Sequence, residues 1–248
     1  MIHKRIYFAF GFAPDFGGRE FSLVHYIAIK SAKKVNECSV FLYYQYEPKN
    51  NVWWEKSKEY CNHIKCDAPN EIFGNVLEHV AYKADVFRLK MLNEFGGIYL
   101  DIDTICIKPV DDLLNNTFVM GKEVVNEETL GLCNAVMMSE KNSEFTNLWI
   151  EEYRNYDSRW GYMQVRRPYQ IFMTHPNSAT VLQHDAFFKY NWTAEDLKKV
   201  HEEVWEMSNA YVLHLWEQPS YHKYLNKLTI DDIKTKDTTY NVIARKFL

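Results

Sequence analysis

Asp101 and Asp103, one residue apart, are the pair of side chains in this sequence best suited to chemistry. They close the run Gly96-Gly97-Ile98-Tyr99-Leu100-Asp101-Ile102-Asp103. An extended segment alternates its side chains, so Ile98, Leu100 and Ile102 are expected on one face and Tyr99, Asp101 and Asp103 on the other. Two carboxylates on one face are hard oxygen ligands. They suit Mn²⁺ or Mg²⁺, ions that keep open positions for substrate phosphates. Upstream, Asp85 and Arg88 lie three apart in a helical pattern and share a face, so both can point at one ligand, although an exposed ion pair fits the same spacing. His214 is a further candidate. An imidazole is acceptable to Mn²⁺, yet a lone histidine in Tyr211 to Trp216 is also what a core histidine bonded to backbone looks like.

These side chains need elements to hold them. Leu77 to Phe95 reads as a long helix, apolar at 77, 80, 81, 84, 87, 91 and 92 and stopped by Gly96-Gly97. Ile98 to Ile102 follows as a strand. Before it, Lys4 to Phe12 reads as a buried strand, Phe21 to Lys33 as a helix, and Val40 to Tyr46 as a second strand. Beyond it, Ala135 to Met138 and Tyr211 to Trp216 read as strands and Phe145 to Tyr156 as a helix. Thr193-Ala194-Glu195-Asp196 has the form of a capping box, opening a helix to about Trp205. Strands alternating with helices predict an α/β fold with a largely parallel central sheet flanked by helices. Carboxylates at the C-terminal end of a parallel strand stand where open α/β sheets bind ligands. At 248 residues the chain is expected to form one domain, 1–248. Its site would be built mainly from 1–110 and completed by the C-terminal part.

The segment from Ala81 to Pro109 resembles the D-x-D glycosyltransferases of the GT-A (Rossmann-like) fold. Within them it is most similar to the Och1-like mannosyltransferases, the α-1,4-galactosyltransferases and the clostridial glucosylating toxins. The shared pattern is a Ser-Asp-x-x-Arg helix, a Gly-Gly-x-Tyr-x-Asp-x-Asp strand and a following Lys-Pro. Here these are Asp85 and Arg88, then Gly96 to Asp103, then Lys108-Pro109, with Ala84 where Ser is usual. Weaker likenesses are Phe10-Gly11 for a Trp-Gly, Phe187 to Trp192, and His214-Leu215-Trp216 with Ser220-Tyr221. Arg166-Arg167-Pro168 departs from a common Thr-Gly-Pro.

The resemblance implies metal-dependent, retaining transfer of a hexose-type sugar from a nucleotide-sugar donor to a glycan or glycoconjugate acceptor. A UDP-sugar is favoured over a GDP-sugar. It implies Asp103 as principal ligand of Mn²⁺ or Mg²⁺. Asp101 would bind the metal directly or through water and touch the ribose, while Asp85 and Arg88 hold the sugar. Tyr99 would lie against the nucleoside and Phe10 against the base, although a half-buried strand aromatic is the plainer alternative at position 99 and a core phenylalanine suits position 10 equally. The His-x-Trp likeness selects His214 as third metal ligand. No nucleophile is named, since a front-face mechanism needs positioning more than a base. A nucleotide-sugar hydrolase and a non-catalytic nucleotide-sugar-binding module are the alternatives.

Other classes fall away. Net charge is −4, so no positive field holds a nucleic acid. There is no phosphate-loop signature, and His201-Glu202-Glu203-Val204-Trp205 lacks the second histidine of a metalloprotease helix. Cys61, His63 and Cys66 make one loose pair where structural zinc usually takes two. Five cysteines without repeating spacing fit a reducing compartment. No run approaches the roughly 20 apolar residues of a membrane helix, so the chain is expected to be cytoplasmic or peripherally membrane-associated.

Overall fold

The structure, a computed structural model, describes all residues from 1 to 248. In chain order the first half runs β1 (Arg5–Phe10), α1 (Leu23–Asn36), β2 (Ser39–Tyr44), α2 (Val52–Ser57), β3 (Asn62–Lys65), β4 (Glu71–Ile72), β5 (Asn75–Val76), α3 (Val80–Phe95), β6 (Gly97–Leu100) and β7 (Thr104–Cys106). The second half adds β8 (Phe118–Val125), β9 (Glu128–Ser139), α4 (Glu144–Glu152), α5 (Arg167–Thr174), β10 (Thr180–Leu182), α6 (His184–Phe187), α7 (Ala194–His201) and β11 (Val212–His214). The short helices α8 (Glu217–Ser220), α9 (Ile230–Thr235) and α10 (Thr239–Ala244) end the chain.

Seven strands form the central sheet in the order β10-β8-β9-β6-β1-β2-β3. Only β9 runs against the others, pairing antiparallel with both β6 and β8. The expected mostly parallel α/β architecture is therefore present. Alternation along the strands feeds two apolar layers. Ile6, Phe8, Ile98, Leu100, Val136 and Met138 face the layer that holds α1 residues Val24 and Ile27. Tyr7, Tyr99 and Met137 face the opposite layer, with Val86 and Leu89 of α3 and Phe145 and Trp149 of α4.

The helix into the site differs from the sequence expectation at its start. It begins at Val80 rather than Leu77, because the His79 ring accepts a hydrogen bond from the Ala81 N–H and caps it. At its end, Gly96 and Gly97 adopt φ of 64° and 118°. A Cβ on Gly97 would lie 2.8 Å from the Tyr7 ring and 2.9 Å from the Arg5 carbonyl oxygen. Only glycine lets β6 start this close against β1.

A β8–β9 hairpin absent from the sequence reading supplies the neighbouring wall. Asn126 and Glu127, with φ of 50° and 67°, turn it in the two-residue left-handed geometry that matches strand twist. The Thr193 hydroxyl caps α7, accepting from the Asp196 N–H, but the expected capping box is only half made, since the Asp196 carboxylate accepts from the Asn191 N–H instead. That helix stops at His201 rather than near Trp205. No helix is long and apolar enough to cross a membrane.

Candidate functional site

The Asp101-Ile102-Asp103 segment is a turn, which corrects the expectation of a strand running to Ile102. β6 ends at Leu100 because Thr104 folds back on Asp101. The Thr104 N–H and hydroxyl both donate to the Asp101 carbonyl, at 3.0 and 2.7 Å. The Asp101 N–H donates to the Ala135 carbonyl of β9 at 2.8 Å, so the turn is pinned to the sheet. Its two carboxylates converge because the backbone doubles back, not because they share a strand face.

The C-terminal segment closes over them. β11 lies antiparallel on β7 with His214 opposite Thr104. The Leu215 N–H donates to the Asp103 carbonyl at 3.0 Å, and the Glu217 N–H donates to Asp103 Oδ2 at 2.7 Å. His214 Nε2 stands 3.2 Å from Asp103 Oδ1. One ligand atom from each of Asp101, Asp103 and His214 falls within 4.8 Å of the others. The strand is shorter than expected, ending at His214. Trp216 turns to φ 51° and sets its ring 4.2 Å from the imidazole at a tilt of 47°.

Asp85 and Arg88 sit beside this cluster. At 4% and 5% exposure they are not an exposed ion pair. Arg88 Nη2 is 3.0 Å from Asp101 Oδ1 and 3.5 Å from Asp85 Oδ1, and Nη1 donates to the Asn134 carbonyl at 2.8 Å. Asn134 Nδ2 donates to Asp85 Oδ1 at 2.7 Å, while Asp85 Oδ2 is buried with no partner.

Tyr99 is almost wholly enclosed. Its hydroxyl donates to Asp101 Oδ1 at 3.2 Å, and the Arg88 guanidinium lies 4.4 Å from its ring centre. Phe10 is half-buried and stacked on Phe16 at 5.6 Å. All seven residues singled out from the sequence, Phe10, Asp85, Arg88, Tyr99, Asp101, Asp103 and His214, line one cavity of about 930 Å³.

Comparison with known proteins decides the family. Residues 31–119 match the family described as "Glycosyltransferase sugar-binding region containing DXD motif". The chain is 32% identical to glucan organizing enzyme 1 of Cryptococcus neoformans var. grubii, over the whole of this chain and 71% of that protein. It belongs to the DXD glycosyltransferase family. Lactosylceramide 4-alpha-galactosyltransferase of Mus musculus is 27% identical across 57% of this chain, which spans only 42% of that relative. The glycosyltransferase GlyE of Streptococcus pneumoniae TIGR4 superposes with a TM-score of 0.51 at 14% identity, covering 99% of this chain and 60% of GlyE. That likeness establishes the GT-A fold.

The electrostatics of this DXD glycosyltransferase follow from burial and neighbours. Burial disfavours charge on Asp103, but the His214 imidazole and the Glu217 N–H outweigh it and hold the carboxyl at about 2. Burial raises Asp101 above the ordinary carboxylate range against the pull of Arg88, and the Asp103 charge adds to the rise. Burial opposes charge on His214 as well, yet the attraction of Asp103 leaves its pKa raised. Asp85 is raised by burial despite Arg88 and Asn134. Three carboxylates face one guanidinium and one titratable ring, so the cluster is short of positive charge. An oxygen-rich donor set with one imidazole suits a divalent Mn²⁺ or Mg²⁺.

Several members were not singled out from sequence. Asn134 was visible as a lone polar residue beside the apolar Ala135 to Met138, but its side chain was assigned no task. Glu217 bridges Arg19, at 3.4 Å, and His25, at 2.9 Å, while its N–H fixes Asp103. Glu123 reaches the cavity from β8. Neither glutamate carries a local signal, because each acquires its role across more than a hundred residues or across a hairpin.

Proposed function

We propose that residues 1–248 form one catalytic domain that transfers a hexose-type sugar, with retention, from a nucleotide-sugar to a glycan acceptor. A UDP-sugar is favoured over a GDP-sugar. The observation that carries this reading is the convergence of Asp101, Asp103 and His214 in the wall of a large cavity that Asp85 and Arg88 also line. Those three residues would hold Mn²⁺ or Mg²⁺. A divalent ion bound there supplies positive charge against the diphosphate as it leaves.

The chain's own residues do the positioning. Asp85 lines the cavity beside Gln164, and its carboxylate would accept from a sugar hydroxyl once donor binding opens the enclosed Oδ2. Arg88 lies between Asp85 and Asp101 and favours the charged form of each against the pull of burial, and Asn134 holds the same Asp85 oxygen. Tyr99 acts as a support, holding Asp101 with its hydroxyl and Arg88 with its ring. Phe10 and Phe16 offer an aromatic edge for the nucleoside. Enclosure of this polar set in a cavity strengthens each interaction relative to water, which is how a site without a nucleophile lowers the barrier to glycosyl transfer. The stereochemistry and the UDP preference rest on the likeness to the galactosyltransferase and toxin groups.

The test is a donor screen with Mn²⁺, reading release of UDP or GDP with and without a panel of saccharide acceptors. Acceptor-dependent release with a new glycoconjugate in the products supports transfer. Release with water alone assigns a hydrolase, and nucleotide binding without release assigns a binding module.

A further inference from the structure

Glu123 is 6% exposed and lines the cavity from β8. Its Oε1 accepts the Trp192 indole N–H at 3.0 Å. No lysine, arginine or histidine is in ion-pair contact with it, although its charge adds to the rise of His214, and the adjacent Lys122 reaches away to Gln183. Its other oxygen has no protein partner and is not sealed from the cavity. Glu123 also stands outside the group formed by Asp101, Asp103 and His214. A carboxylate this buried without a cation is costly, and the cost is offset where a ligand supplies hydrogen-bond donors. Trp192, 42% exposed and also on the cavity wall, presents an indole beside it.

The sheet order says which ligand that is. Phe10 ends β1, Asp101 follows β6 and Glu123 lies on β8, with β9 between the last two. Three strand steps separate β8 from β1, roughly 14 Å at the usual spacing of about 4.8 Å. The nucleoside end, the acidic cluster and Glu123 are therefore spread in sequence across the cavity. At about 930 Å³ it lies near the top of the usual range for ligand cavities, leaving room beyond a donor.

We propose that Glu123 and Trp192 form the acceptor subsite, and that it takes a neutral saccharide and disfavours an anionic one. The inference rests on the transferase reading above. A carboxylate oxygen accepts from hydroxyls, and a neutral sugar presents several, together with C–H faces that pack on an indole. A uronate presents a like charge to a carboxylate already poor in solvent.

The experiment uses the full chain with Mn²⁺ and either UDP or GDP. Saturation-transfer NMR follows maltotriose, laminaritriose and trigalacturonate, and calorimetry follows the nucleotide. In the wild type at least one neutral trisaccharide binds and trigalacturonate does not. Glu123→Gln keeps the acceptor for the Trp192 N–H, and Trp192→Phe keeps a ring. Each weakens the neutral saccharide by roughly tenfold or more, Glu123→Gln admits trigalacturonate, and both bind nucleotide within twofold of wild type. Three results overturn the subsite: a nucleotide-binding wild type that takes no neutral trisaccharide, variants that bind it as tightly as wild type, or a Glu123→Gln variant that loses nucleotide. Failure of both nucleotides to bind the wild type instead refutes the transferase reading and takes the subsite with it.

Discussion

Replacing Arg88 by methionine tests whether the buried charge network is as tightly coupled as its geometry implies. The guanidinium sits at 5% exposure between Asp101 at 3.0 Å, Asp85 at 3.5 Å and the Asn134 carbonyl at 2.8 Å. Methionine fills most of the volume but leaves two carboxylates facing each other with no cation. Breaking a buried pair by removing one partner costs roughly 3–5 kcal/mol, a large share of the roughly 5–15 kcal/mol that holds a domain folded. At about 2–4 °C per kcal/mol for a chain of this size, the melting point should fall by roughly 6–20 °C. Adding Asp85→Asn removes one orphaned charge while keeping an acceptor for Asn134. The double variant should therefore be more stable than Arg88→Met alone, a non-additivity expected of groups in one network. Urea unfolding followed by tryptophan fluorescence measures this, with nucleotide release scaled to the folded fraction. Activity per folded molecule should fall in both variants, since Asp101 loses its anchor. An Arg88→Met protein within about 1 kcal/mol of wild type would show that water or relaxation satisfies the carboxylates, and the network would lose its structural role.

Asp103→Asn should lower nucleotide release by roughly a hundredfold or more while the chain still folds, because an amide oxygen still accepts from the Glu217 N–H and His214, deprived of its partner charge, can shed its proton; wild-type turnover in the folded variant would end the assignment. His214→Ala should weaken Mn²⁺ binding by more than roughly tenfold with nucleotide present, and unchanged affinity in a folded variant would return the ring to the core beside Trp216. A pH effect is expected away from the site. Burial holds the His201 ring, stacked 4.5 Å from Tyr224, at about 4 against an ordinary 6.5. The folded state thus binds fewer protons than the unfolded between those values. The His201 contribution to stability should be full above pH 6.5 and drop by about 3 kcal/mol as pH falls to 4, with His63, also held at about 4 by burial, acting on the same limb. His201→Gln should flatten that limb of the urea-midpoint profile, and an identical loss in the variant would place the acid sensitivity elsewhere.

What sequence revealed and what it hid divide by range. Asp85, Arg88, Asp101 and Asp103 fall within nineteen consecutive positions, and Gly96-Gly97 marks the one place where a helix can give way at once to a strand packed on Tyr7. That part of the site is local, and residue type plus spacing exposes it. The strand boundary at Leu100 was hidden because Thr104 ends it from outside, bonding back to Asp101 where alternation alone would carry the strand on. The β8–β9 hairpin was hidden by its turn: Asn126 is a familiar left-handed residue, but Glu127 in the same conformation is not, so no Asn-Gly signal punctuates the run. Its concealment matters because the hairpin carries both Asn134, which fixes Asp85, and Glu123, which faces the cavity from the far strand. One carboxylate among 33 acidic residues looks like surface until a hairpin turns it inward, where no cation is in direct ion-pair contact with it. The closure of β11 over the acidic turn is the same kind of fact. The hydrogen bond from the Glu217 N–H to Asp103 joins positions 114 apart, so the C-terminal segment belongs to the site by tertiary contact. A metal that draws Asp101, Asp103 and His214 together would therefore also tighten β11 against β7. The acidic cluster of this glycosyltransferase was legible because one segment holds Asp85, Arg88, Asp101 and Asp103, whereas Glu123, Asn134 and Glu217 reach the same cavity only once the sheet has assembled.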